Sequence, residues 1–158
     1  MAQQELERAK AVIDKHIIAA VAVGVQPLPG ADLVLLTGTQ LNMLRRLAQI
    51  YGVEFRPELG RSLLAAFLGS VAPLASASLV KMIPVVGWLV GGLGGLAFAG
   101  ASTYAVGRVF VQHFESGGTF LTLEPDKVMD YYQEQFDGYR SRPEPPQQEQ
   151  SEYYGIKP

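Results

Sequence analysis

Apolar and polar positions along this chain of 158 residues divide it into helical segments broken by proline and glycine. Residues 1–16, MAQQELERAKAVIDKH, set Leu6, Ala9, Val12 and Ile13 at helical spacing among charges. From Ile17 to Val25 the chain is wholly apolar and then meets Gln26-Pro27-Leu28-Pro29-Gly30. Two prolines and a glycine within four residues end a helix in a tight turn. Asp32 stands at an N-cap position for a second helix over roughly 32–51, which Gly52 terminates. Pro57 fits the first turn of a third helix. Residues 62–80 carry no charge, and neither do residues 82–107, the two stretches being separated by Lys81. After His113 the stretch ESGGTFLTLEP reads as a flexible connection. DKVMDYYQEQFDGYR then forms a short amphipathic helix with Val128, Tyr132 and Phe136 on one stripe. The tail from Ser141, rich in Pro, Gln and Glu, is expected to be disordered.

The expected fold class is all-α: two helical hairpins making four main helices, a short C-terminal helix and a disordered tail. The corresponding division is a helical membrane-associated domain over 1–115, a linker and short helix over 116–140, and a tail over 141–158. The turns Pro27-x-x-Gly30 and Pro84-x-x-Gly87 join similar apolar pairs, a weak sign of internal repetition.

Length decides how these hairpins meet a membrane. At 1.5 Å per residue, 62–80 reaches roughly 28 Å and 82–107 roughly 39 Å, enough for a hydrocarbon core of about 30 Å. Residues 17–25 and 33–44 reach only roughly 14 and 18 Å, so that pair reads as shallow or protein-buried. Arg8, Lys10 and Lys15 precede the first apolar segment, Arg45, Arg46, Arg56 and Arg61 lie between the hairpins, and Arg108 closes the second. Insertion of both hairpins from one side keeps these cations together, as orientation in membranes requires. A soluble bundle with charged connections is the alternative.

Gly87, Gly91, Gly95, Ala99, Thr103 and Gly107 recur every four residues and share one helix face. Such a face lets another helix approach closely, either the third helix of the same chain or a second copy. Pro73 is expected to kink that third helix. Asp32, the one ionisable side chain between His16 and Arg45, reads as a cap. Thr37, Thr39, Gln40 and Asn42 form a polar run that lines a wet cavity, bonds a neighbouring helix or faces solvent.

Composition narrows the chemistry. Charged residues make up 18% against about 25% in an ordinary soluble domain. Mean hydropathy is +0.13, which excludes disorder of the whole chain. A net charge of −2 supplies no global basic field for nucleic acid. Cysteine is absent, which removes disulfides, thiolate metal sites and thiol nucleophiles. Acids at Glu5, Glu7 and Asp14 argue against a signal peptide. Gly92-Leu93-Gly94-Gly95 lacks the lysine of a phosphate-binding loop. No carboxylate pair or Ser-His-Asp spacing supports catalysis, so no catalytic residue, cofactor or metal is expected.

The stretch Gly24-Val-Gln-Pro-Leu-Pro-Gly-Ala-Asp-Leu, with Thr37, Gln40, Met43, Leu47-Ala48 and Tyr51-Gly52, resembles the uncharacterised domain of YcjF-type membrane-associated proteins. That domain also occurs fused to or beside Era-like GTPase domains. Ile83-Pro-Val-Val-Gly87 and Tyr104-Ala-Val-Gly107-Arg108 fit as well, so the resemblance covers roughly 8–114. It implies membrane association and work beside a separate GTPase, and no functional residues to carry over.

The expectation is therefore a non-enzymatic, multi-pass module of the bacterial cytoplasmic membrane, its basic loops and C-terminus cytoplasmic. Its expected partners are the lipid bilayer, further copies of itself through the small-residue stripe, and a GTPase, with a pore as the sharper version. The alternative is a soluble or peripheral helical bundle binding a lipid or other apolar ligand.

Overall fold

A computed structural model describes residues 2–24, 31–70 and 86–142, except the side chains of 24, 31, 32 and 86–95. Among the described residues there are five helices and no strand. They are α1 (Ala2–Gly24), α2 (Ala31–Ile50), α3 (Pro57–Ser70), α4 (Val86–Glu115) and α5 (Pro125–Arg140). The all-α expectation holds. The turns at 27–30 and 84–87, the kink at Pro73 and most of the tail fall wholly or partly outside the described residues.

Local chemistry sets the visible boundaries. Beyond α2, Tyr51 N–H donates to Leu47 O at 3.1 Å and Val53 N–H to Ala48 O at 2.8 Å. Gly52, at φ +65°, supplies the left-handed residue this closure needs. Pro57 opens α3 and Pro125 opens α5, where a missing N–H costs nothing.

The 30-residue α4, about 45 Å long, is the central strut. It packs against α1, α2 and α5, and α3 joins α2 to α5. α1 and α2 run antiparallel, since Ala20 clusters with Leu36 while His16 meets Asn42. The core takes Ile13 from α1, Leu44 from α2, Phe67 from α3, Val106 from α4 and Tyr132 from α5. The expected Val128–Tyr132–Phe136 stripe is the inner face of α5, with Tyr132 and Phe136 buried.

The connection after α4 is ordered by packing rather than flexible. Phe120 inserts among Phe55, Phe110 and Phe114 with ring centroids 5.6, 5.4 and 5.5 Å away. His113 Nε2 lies 3.0 Å from Thr119 O and 3.1 Å from Thr122 Oγ1, tying the connection to the helix it leaves. Arg142 donates to Tyr104 Oη at 3.0 Å and lies over the same ring, fastening the far end of α5 to α4.

The expected spanning hairpin is corrected. Among the described residues, no helix is long and apolar enough to cross a membrane. α3 turns Leu63, Leu64 and Phe67 into the bundle and begins with Glu58 and Arg61. α4 turns Ala101, Ala105, Val106, Val109 and Phe110 into the same core. A run without charge satisfies a protein interior as well as lipid, because both are dry. The reading as an integral, multi-pass transmembrane module, with its pore, is therefore withdrawn in favour of its alternative.

Ionisation of buried tyrosines gives this core a pH limit. Burial and the neighbouring Glu115 push Tyr51 up to about 12, and burial raises Tyr132 and Tyr139 as well. The folded state keeps these protons after the unfolded chain begins to lose them near pH 10. Stability is thus fully present below pH 10 and falls as pH rises toward 12. Urea midpoints should drop between pH 9 and 11.5, and Tyr51→Phe with Tyr132→Phe should flatten that drop. An unchanged slope would contradict the assignment.

Candidate functional site

A groove of about 920 Å³ opens between α1 and α2. Its apolar lining comes from Ala11, Val12 and Ala19 on one helix and Val34, Leu35 and Ile50 on the other. Gly38 and Thr39 leave its α2 wall low, and a Cβ added at Gly38 would meet nothing within 4 Å.

His16 and Asn42 link the two walls. His16 Nδ1 lies 2.7 Å from Val12 O, a carbonyl that can only accept, so this nitrogen carries the proton. Nε2 then accepts from Asn42 Nδ2 at 3.2 Å. This chain of bonds ties the imidazole to both helices. Neither residue is left free for acid–base work.

Arg8, Lys15 and Arg46 complete the lining, and no carboxylate belongs to it. The ion pairs among the described residues, Lys10–Glu7, Arg56–Glu54 and Lys127–Glu124, are all exposed and involve none of these three cations. Of the lining residues, Val34 is 73% exposed and Leu35 close to half exposed. Large apolar side chains left exposed at the mouth of a groove are of the kind that marks an interaction surface.

The expected site residues lie elsewhere or divide. In the described half of the small-residue stripe, Ala99 is buried beside Ala20 and Leu36. Thr103 meets Gln40, and Gly107 meets Ile13. Those contacts are made by α1 and α2 of the same chain. Gly87, Gly91 and Gly95 lie in α4 with their surroundings outside the described residues. Pro27, Pro29 and Gly30 are outside them too, and Asp32 falls in the first turn of α2 with its side chain undescribed.

The polar run on α2 splits by face. Gln40 is fully buried and its Nε2 donates to Ser102 Oγ at 3.0 Å and Thr103 Oγ1 at 3.3 Å, leaving Oε1 without a partner. Thr37 and Thr39 donate to Leu33 O and Leu35 O, one turn back on their own helix. Asn42 faces the groove. Sequence reading missed the groove itself. Arg8 and Lys15, seven residues apart, share a face of α1, but only the fold reveals that Arg46 lies beside them.

Among the described residues no group of three His, Asp or Glu side chains could hold a metal ion. Comparison with known proteins places the chain among relatives. Residues 1–141 match the family described as Domain of unknown function (DUF697). Magnetosome membrane protein 22 of Magnetospirillum gryphiswaldense is 41% identical over 134 residues, covering 82% of this chain and 69% of that protein. No solved structure matches. A family match over nearly the whole described bundle, with a relative this similar, establishes that the chain belongs to the DUF697 family.

Proposed function

We propose that this protein is a peripheral, non-enzymatic membrane-associated bundle that holds a lipid or other apolar ligand in the α1–α2 groove. The observation that carries the reading is the groove itself, with apolar side chains on both walls and the exposed Val34 and Leu35 in its lining. Its volume falls within the usual range of about 300–1,000 Å³ for small-molecule sites. A relative named as a magnetosome membrane protein supports the association with a membrane. Burying an acyl chain here gains about 0.8 kcal/mol per methylene withdrawn from water.

The test uses Gly38→Leu, which fills the open space without touching the core. A neutral fluorescent long-chain alcohol is titrated into both proteins. The variant should bind at least about tenfold more weakly, the loss of roughly two buried methylenes. It should also gain up to about 1 kcal/mol of stability, because leucine is the better helix former. A wild-type protein that ignores the probe, or a variant that binds it equally, would contradict the reading.

A further inference from the structure

The groove is not uniform along its length. Because α1 and α2 are antiparallel, Ala19 shares one end with Val34, Leu35 and Gly38, whereas Arg8 shares the other with Arg46 and Ile50. Lys15 projects from the α1 wall near the His16–Asn42 bridge. Leu35 and Arg46 are eleven helical residues apart, about 16 Å. The exposed Val34 and Leu35 therefore sit at one end and Arg8 and Arg46 at the other, with Lys15 between them, and among the described residues none of these cations has a carboxylate partner.

We propose that the groove seats one anionic phospholipid of a bilayer, an acyl chain toward Val34 and Leu35 and the phosphate among Arg8, Lys15 and Arg46. This inference rests on the reading of the groove as an apolar ligand site and adds the class of ligand and its orientation. Charge complementarity selects the occupant. Three cations with no carboxylate in the lining are matched by a phosphodiester, and the guanidinium groups of Arg8 and Arg46 offer it paired donors. A separation of about 16 Å between the apolar and basic ends is about half the thickness of a bilayer hydrocarbon core. The same seat thus sets the bundle on one leaflet, with Val34 and Leu35 facing the acyl region and the cations level with the phosphates.

The full chain is tested by co-sedimentation with vesicles of phosphatidylcholine alone and of phosphatidylcholine mixed with phosphatidylglycerol. Binding should favour the anionic vesicles. The triple variant Arg8→Gln/Lys15→Gln/Arg46→Gln should lose about a hundredfold, near fivefold for each cation, while keeping its circular dichroism. Removing three cations outside the groove, Lys10→Gln/Arg61→Gln/Lys127→Gln, should lose far less. Equal binding to both vesicles, or equal losses in the two triple variants, overturns the phosphate seat. Displacement from vesicles by millimolar glycerol phosphate overturns the lipid as its source. Failure of the wild-type protein to bind the neutral alcohol overturns the groove reading beneath it, an outcome separable from the others.

Discussion

Phe67→Ala should lower the unfolding free energy by about 3–5 kcal/mol, a large part of what holds a domain of this size together. Phe67 is fully buried in α3 and stacks on Tyr132 of α5, ring centroids 4.9 Å apart. Tyr132 in turn packs near Phe136, so the truncation opens a cavity where α3 and α5 share aromatic surface. Among the described residues the buried phenol of Tyr132 has no hydrogen-bond partner, and its ring is held by packing on Phe67 and Phe136. Phe67→Leu, which keeps most of the volume, should cost far less. Urea denaturation followed by far-ultraviolet dichroism reads both. Similar small losses for the two variants would show that α3 and α5 do not share this core.

The second large effect is at Gly107. A Cβ there would lie 2.7 and 2.8 Å from Ile13 Cγ1 and Cδ1 and 3.3 Å from Cγ2. Ile13 is itself buried, and its branched side chain has little rotamer freedom on a helix, so it cannot swing aside. Gly107→Leu should therefore push α1 off α4 and cost about 1–3 kcal/mol, despite the better helix propensity of leucine. In an Ile13→Ala background the obstacle is gone, and the same change should cost much less. A double-mutant cycle should return a coupling of about 0.5–3 kcal/mol between the two positions. Additive losses would mean that Gly107 is not where α1 and α4 meet.

These two contacts also mark how far the sequence could be read. Helix class, the stop at Gly52, the start at Pro57 and the inner stripe of α5 were legible because each depends on neighbours within a turn or two. Gly107 was legible as part of a small-residue face, but its partner was not, since Ile13 lies 94 residues away. Gln40 and its hydroxyl partners at Ser102 and Thr103 pose the same difficulty. The charge-free stretches misled for a different reason. Hydropathy reports that a segment avoids water and is silent on whether lipid or protein replaces it. The groove failed both ways: its cations read only as charges flanking the apolar segments, and its walls come from helices whose pairing no local pattern encodes.

The central claim is that the protein meets a membrane at the α1–α2 groove and not through a spanning helix. Because the chain contains no cysteine, a single one can be introduced and labelled at will. Val34→Cys and Leu121→Cys place an environment-sensitive fluorophore at two apolar positions of similar exposure, 73% and 68%, on different faces. With anionic vesicles, the label at 34 should shift to the blue and be quenched by quenchers carried on the lipid acyl chains, and the label at 121 should not respond. A response at 121 alone, at both positions, or at neither would contradict the account.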